Sequence, residues 1–212
     1  MATPRGDKDG LFTYADYRSW PDDERWELID GVAFSMSPAP TRRHQGILAE
    51  LAAHFVVHFR SYPCSVYVAP FDVVLVDASR DAPHRPADGG GDTVVQPDLV
   101  VVCDATKLTP QGCAGAPDLV LEILSPATAF KDMEYKLHLY ERHGVREYWI
   151  VNPANDTVMV YSVRPAGSSD EAAAAGTYQK PGLYTATDTI SPRLFPDLSF
   201  KLSDVFSRDR DQ

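Results

Sequence analysis

The chain has 212 residues, of which 44% are hydrophobic and 10% aromatic, enough for one buried core and too few for several domains. No apolar run is long enough to cross a membrane, and the first ten residues lack the apolar segment of a secretory signal, so a soluble cytoplasmic protein is expected. The net charge of −10, from 20 Lys and Arg against 30 Asp and Glu, should repel nucleic acid on average. Any function on nucleic acid therefore needs a local basic patch or a metal ion.

The chain has three cysteines, Cys64, Cys103 and Cys113, with no CxxC spacing among them. They cannot all pair within the chain, and reduced thiols are the usual state in a cytosolic protein. We therefore expect three thiols and no structural zinc site.

The first part of the chain predicts a mobile arm at 1–12, a short helix at 13–20 with Thr13 as N-cap, and a β-hairpin. The hairpin strands, 26–29 and 32–36, flank Asp30-Gly31, the strongest two-residue turn signal. A long helix is predicted at 41–60 because its apolar residues recur at helical spacing.

The remaining chain alternates apolar runs with polar loops. Strands are predicted at 65–69, 71–76, 98–103, 118–124, 146–151, 157–163, 178–186 and 198–202. A helix is predicted at 127–143 with Gly144 as its cap, and a last turn starts at Ser203. Loops are predicted at 79–92 and 164–177. The expected organisation is one α/β domain at 13–206 followed by a tail at 207–212.

Glu122 is a charged residue inside the apolar run 118–124. A buried carboxylate must be protonated, paired or bound to a cation, because leaving it bare costs several kcal/mol or more. Two interpretations follow, a salt bridge to an Arg or Lys, or a metal site with a second carboxylate.

Three Pro-Asp-Leu triplets offer that second carboxylate, at Asp98, Asp118 and Asp197. Asp118 shares a strand with Glu122, and four residues along a strand span about 13 Å, too far to share an ion. Asp197 lies in a Pro-bounded tail. The segment between the central strands lacks a helical pattern, so these strands should pair antiparallel. If Cys103 faces Pro117, Asp98 faces Glu122, and the two acids could bind a hard ion such as Mg²⁺.

Lys136 is the candidate cation for this pair. Helical spacing predicts a buried stripe of Phe130, Met133, Leu137 and Tyr140, with Lys136 at its edge. One interpretation is an i,i+4 pair with Asp132 on a solvated face. The other is an ammonium that reaches back to the sheet and helps to deprotonate a metal-bound water, with Asp132 orienting it.

Several blocks, in this order, resemble the "Uma-two" family of candidate restriction endonucleases, which belongs to the PD-(D/E)XK nuclease superfamily. These blocks are ELIDG at 27–31, His44, PDLV at 97–100, APDLVLEILSP at 116–126, Asp132, Lys136, Tyr140 and GVREYWIV at 144–151. The likeness extends from about residue 14 to 206. It implies a restriction-endonuclease-like core, with a central mixed β-sheet flanked by helices and an N-terminal hairpin.

The resemblance also implies a site and an activity. Asp98 fits the Asp of the PD motif, and Glu122 fits the acid of the (D/E)XK strand. Leu124 stands where the superfamily has its lysine, and the family supplies that lysine from the next helix, where Lys136 stands. The implied function is Mg²⁺-dependent hydrolysis of DNA, with Mn²⁺ as an alternative ion and the Ile123 carbonyl as a further ligand.

Five residues are predicted as accessory, and a homodimer would suit duplex cleavage. They are Glu27, His44, Gln96, Ser125 and Asp132. Glu27 could instead be only a cross-strand partner in the hairpin, and Tyr148-Trp149 is more typical of a core than of a base-stacking surface. The alternative function is a catalytically weak binding module that retains the fold, which the acidic composition and Leu124 favour.

Overall fold

The computed structural model describes residues 11–21, 24–36, 39–76, 93–164 and 176–207. The predicted loop at 79–92 lies outside these residues, as does most of the predicted arm, the tail and the loop at 164–177. Among the described residues, no helix is long and apolar enough to span a membrane.

The strands form a five-stranded sheet in the order β2-β1-β5-β4-β7, a six-stranded sheet in the order β11-β10-β9-β8-β6-β3, and a β12-β13 pair. Their bounds are β1 Trp26–Ile29, β2 Val32–Ser35, β3 Ser65–Val68, β4 Asp72–Leu75, β5 Thr93–Val95, β6 Leu99–Val102, β7 Gly112–Ala114, β8 Leu119–Ile123, β9 Glu147–Asn152, β10 Thr157–Ser162, β11 Gly182–Thr185, β12 Thr189–Ile190 and β13 Phe200–Lys201. The helices are α1 Tyr14–Tyr17, α2 Arg42–Phe59, a 3₁₀ turn at Ala105–Lys107, a π-helix at Lys131–Lys136, α3 Leu137–Arg142 and α4 Leu202–Phe206.

The six-stranded sheet is mixed, because β8 and β9 run parallel and its other pairs are antiparallel. Alternate residues of its strands face opposite layers. On one face Leu121 and Trp149 join a core that includes Phe55 of α2. On the other face Val120 and Tyr148 join a core shared with α3 and with the five-stranded sheet. The predicted mixed sheet between helices is confirmed.

The local turn and cap signals of the first part of the chain form as predicted. Asp30 and Gly31 have φ of 51° and 78°, the left-handed pair that a tight hairpin needs. Thr13 caps α1 with a capping box, and the Thr41 side chain accepts a hydrogen bond from His44 N at the start of α2.

The two central strands pair antiparallel in the predicted register, with Leu99 opposite Leu121 and Val101 opposite Leu119. The segment between them adds β7, which the sequence did not predict and which pairs with β4 in the other sheet. A Cβ on Gly112 would lie 2.0 Å from the Asp72 carbonyl oxygen, so this close pairing requires glycine.

The predicted buried stripe of the helix after β8 is wrong at Phe130 and Met133, which are 70% and 40% exposed, and correct at Tyr140, which is buried. Asp132 and Lys136 are buried as well. The cause is the π-helix, whose wider i→i+5 turn shifts the phase of the side chains. Lys136 therefore lies in the middle of the inward face, and its pairing with Asp132 is not on a solvated face.

The expectation of three reduced thiols is also wrong. Strands β3 and β6 pair antiparallel with Ser65 opposite Val102, so Cys64 and Cys103 lie opposite each other one residue further on. They form a disulfide, and Cys113 remains a buried free thiol. The β3–β6 pairing that brings them together was not predicted from the sequence.

Candidate active site

The candidate site lies where the carboxyl end of β8 meets β1, the start of β6 and the π-helix. Asp98 directly precedes β6, Glu122 lies within β8 and Glu27 lies on β1. Glu27 is fully buried and Glu122 is 4% exposed. These acids come from distant parts of the sequence and are brought together only by the two sheets.

Lys136 is the central cation of this group. Its Nζ lies 2.7 Å from Glu122 Oε1, 2.8 Å from Glu27 Oε1 and 3.6 Å from Asp132 Oδ1. Only 3% of the residue is exposed. The side chain thus reaches back to the sheet, and the salt bridge that one interpretation expected for Glu122 is formed by this lysine.

Glu27 forms an ion pair with a second lysine as well. Its Oε2 lies 2.5 Å from Lys131 Nζ, and its Oε1 also accepts a hydrogen bond from Gln96 N at 3.1 Å. Glu27 is therefore part of the cluster and not simply a cross-strand partner in the hairpin. It links the two lysines, one buried and one nearer the surface.

Each of the two acids at the sheet end keeps one oxygen free of donors from the described residues. Glu122 Oε1 accepts from Lys136 and from the Tyr140 hydroxyl at 2.9 Å. Asp98 Oδ2 accepts from Ile123 N at 2.7 Å and lies 3.2 Å from His44 Nε2. Among the described residues, no donor contacts Glu122 Oε2 or Asp98 Oδ1.

The buried charges shift the pKa values in opposite directions. Burial raises the pKa of Glu122 to about 8, against the opposing charge of Lys136 and with added repulsion from Asp132. Burial would also raise the pKa of Glu27, but the ammonium groups of Lys136 and Lys131 outweigh it and lower the pKa to about 2. Three carboxylates share two ammonium groups, so the cluster retains a proton that an exposed acid would lose at neutral pH.

His44, at the start of α2, holds Asp98 from the other side. Burial favours the neutral imidazole, but the hydrogen bond and charge of Asp98 raise the pKa of His44 above its usual value. Its Nδ1 is buried and has no hydrogen-bond partner. The histidine thus orients the Asp98 carboxylate through Nε2.

Two predicted accessory residues do not join the cluster with their side chains. The Gln96 amide turns away to Asp72 Oδ1 at 2.8 Å. The Ser125 hydroxyl lies 3.0 Å from the Thr128 hydroxyl, in the turn that opens the next helical segment. Tyr148 and Trp149 are both fully buried, consistent with a core role.

The contacts of Lys131 and Tyr140 with the two glutamates were not predicted from the sequence. Tyr140 was predicted as an apolar member of the stripe, although its position four residues after Lys136 already placed its hydroxyl near the same acid. Lys131 lies five residues before Lys136, a spacing that shares a face in a π-helix and not in an α-helix. Only the observed backbone could reveal it.

The two open carboxylate oxygens are of the chemical type that binds a hard divalent cation. Carboxylate oxygens and a backbone carbonyl are ligands that Mg²⁺ prefers, and this ion usually keeps several waters. No group of three or more His, Cys, Asp or Glu side chains in the described residues could hold a metal. The residues that would hold such an ion are Asp98 and Glu122, each with one oxygen free of donors from the described residues.

The mixed sheet between helices is a restriction-endonuclease-like α+β fold. It is similar to a crystal structure described as a "putative nuclease belonging to DUF820" from Anabaena variabilis ATCC 29413, with a TM-score of 0.67 and 19% identity. The match covers 92% of this chain and 98% of that one. Residues 14–203 match the Uma2 family, described as "Putative restriction endonuclease", and the chain belongs to this family. No curated protein matches it.

Proposed function

We propose that this protein is a divalent-metal-dependent endonuclease that hydrolyses phosphodiester bonds in DNA. The observation that carries the proposal is the buried Lys136 ammonium bonded to Glu122, while Glu122 and the facing Asp98 each keep one oxygen open. A purely structural cluster would be expected to fill those oxygens with donors.

The metal would be held by Asp98, Glu122 and the Ile123 carbonyl, with Mg²⁺ as the natural ion and Mn²⁺ as a substitute. Such an ion, when bound, supplies charge stabilisation for the phosphoryl oxygens and acidifies a coordinated water. It would also offset the acidic net charge of −10 where phosphate must approach.

The chain's own residues supply orientation and charge. Lys136 orients the attacking water and stabilises the developing negative charge. Glu27 and Asp132 fix the position of the lysine, Tyr140 fixes Glu122 Oε1, and His44 fixes Asp98 Oδ2. In this role Glu27, Asp132, Tyr140 and His44 are positioning residues.

Leu124 in place of the usual strand lysine does not argue against this chemistry. The Lys136 ammonium comes from the following helix and contacts the acid of the same strand at 2.7 Å. The positive charge is therefore present at the acid, although a different element supplies it.

The test is cleavage of supercoiled plasmid DNA with and without Mg²⁺ or Mn²⁺. Wild type should cut only with the ion, and Asp98→Asn and Lys136→Met should reduce cutting at least about 100-fold. Asp197→Asn is the matched control, because it changes an exposed acid in the same Pro-Asp-Leu context. Calorimetric titration with Mg²⁺ reports ion binding independently of cutting. Activity that persists in EDTA or in Asp98→Asn would contradict the proposal.

A second candidate is a binding module without catalysis. The observation that favours it is that Lys136 is fully engaged by carboxylates in an acidic protein. In that case DNA would stay intact with every divalent ion, and Asp98→Asn would behave as Asp197→Asn does.

The proposed enzyme acts in the cytoplasm, as a homodimer when it cuts both strands of a duplex. Sedimentation analysis tests the dimer. A monomer that nicks one strand at a time would retain the chemistry and remove the dimer from the proposal.

A further inference from the structure

Three aromatic side chains lie together beside the acid–lysine cluster, the partly buried Phe34 on β2 and the exposed Phe130 and Tyr135 around the π-helix. The ring centroids of Phe130 and Tyr135 are 5.7 Å apart, and those of Phe34 and Tyr135 are 6.4 Å apart. Phe130 is 70% exposed and Tyr135 is 53% exposed. Packing of the core does not account for two large rings held together in contact with solvent.

These rings, named here the aromatic platform, adjoin the candidate site through two elements. Phe34 lies directly opposite Glu27 in the β1–β2 ladder, so the two side chains share one face of the sheet. Phe130 directly precedes Lys131, whose ammonium contacts Glu27 and whose side chain is 16% exposed, against 4% for Lys136. Lys131 therefore follows Phe130 directly in the chain and holds its ammonium at the edge of the site, where it pairs with Glu27.

We propose that the aromatic platform stacks an unpaired base next to the scissile phosphate, so that the preferred substrate is single-stranded or locally unpaired DNA. This inference rests on the proposed function and names its substrate class. A flat apolar ring beside an ammonium matches the two parts of a nucleotide, its base and its phosphate. A closed duplex keeps its bases stacked inside and presents only its backbone to these rings.

The overall charge of the protein supports the same choice. Phosphate contacts supply most of the affinity of duplex-binding proteins, and the excess of acidic side chains in a chain with a net charge of −10 weakens such contacts. Stacking on aromatic rings adds affinity that does not come from phosphate contacts.

The test measures binding without cleavage. In a Glu122→Gln background with Mg²⁺, fluorescence anisotropy compares a labelled single-stranded oligonucleotide with its duplex. The single strand should bind more tightly, and Phe130→Ala with Tyr135→Ala should weaken its binding roughly 10-fold or more. The salt dependence should not change, because no cation is removed. Leu183→Ala, at a 66% exposed apolar residue of β11, is the matched control, and Phe130→Trp should retain binding.

Three results would overturn the inference. In the first, single strand and duplex bind equally, and the alanine substitutions weaken both equally. In the second, neither DNA binds. In the third, the alanine substitutions leave DNA affinity unchanged, and sedimentation shows that they break a dimer. The last result would make the platform an interface between two copies. Failure of the nuclease proposal is distinguishable, because a wild type that never cuts DNA can still show ring-dependent binding of single strands.

Discussion

The two ends of the central strand β8 both carry carboxylates, and the donors around them differ. At the amino end, Asp118 Oδ1 contacts Arg146 at 2.5 Å and its Oδ2 accepts from Cys103 N at 2.6 Å. Glu147, on the neighbouring strand, accepts from Trp149 Nε1, Arg193 N and Leu194 N, with both oxygens engaged. All four of these oxygens have partners.

At the carboxyl end, Asp98 and Glu122 each use one oxygen only. Both ends hold a Pro-Asp-Leu aspartate and a buried strand glutamate, so residue type and burial do not separate them. The two ends differ in whether the second oxygen of each carboxylate accepts a hydrogen bond. A carboxylate with both oxygens bonded stabilises the fold, whereas one with an open oxygen can take a further ligand.

The largest expected effect comes from removing the cation at the carboxyl end. Lys136→Met leaves Glu27 and Asp132 buried with too little positive charge, and loss of one partner of a buried pair typically costs about 3–5 kcal/mol. Urea unfolding in EDTA should show this loss. Adding Glu27→Gln to Lys136→Met should restore part of it, because one uncompensated charge is gone. A loss below about 1 kcal/mol would mean that this cluster is as solvated as a surface pair.

The next effect compares the buried glutamates of two neighbouring strands. Glu122→Gln should lower kcat/KM for DNA cleavage at least about 100-fold, because the amide is a poor ligand for the ion. Glu147→Gln should instead destabilise the fold by about 1–3 kcal/mol, since its amide group meets backbone donors that need an acceptor. Its cleavage below the melting temperature should stay near that of wild type. If the two variants lose activity equally, the open oxygen does not distinguish the two ends.

A smaller effect concerns the pH dependence of stability, which should distinguish the buried Glu122 from an exposed acid such as Asp197. The folded state holds the proton of Glu122 up to about pH 8, whereas an unfolded chain releases it near its usual pKa of 4.5. Ionisation between these values therefore favours unfolding, so stability in EDTA should fall as the pH rises through this window. The fall should be smaller than the loss in Lys136→Met. It should shrink in Glu122→Gln and persist in Asp197→Asn, and an equal fall in both variants would contradict this origin.

The parts of the site set by local or alternating patterns could be predicted from the sequence. Asp30-Gly31 predicts the hairpin that carries Glu27, because the tight turn needs two positive φ values and few other residue pairs adopt them. The register that sets Leu99 opposite Leu121, and by extension Asp98 opposite Glu122, followed from an antiparallel connection and the two-residue period of a strand. Both predictions use information contained within short segments.

The parts that depend on backbone irregularity or on distant pairing could not be predicted. The π-helix placed Lys136 in the middle of the inward face and brought Lys131 to Glu27, whereas α-helical spacing would expose one of them. The Cys64–Cys103 disulfide follows from the pairing of β3 with β6, which no local signal marks. Whether a carboxylate oxygen stays open depends on which donors the neighbouring strands supply, and composition does not predict those donors.

The smallest expected effect comes from removing the exposed ion pair at the amino end of β8. The Arg146 side chain is 51% exposed, so solvent screens its contact with Asp118 and Arg146→Gln should change stability by less than about 1 kcal/mol. Asp118→Asn should cost more, because the backbone N–H of Cys103 loses a charged acceptor. Neither variant should change the rate of DNA cleavage. A large loss of activity in Arg146→Gln would show that the amino end also contacts the substrate, and the contrast between the two ends of β8 would then have to be abandoned.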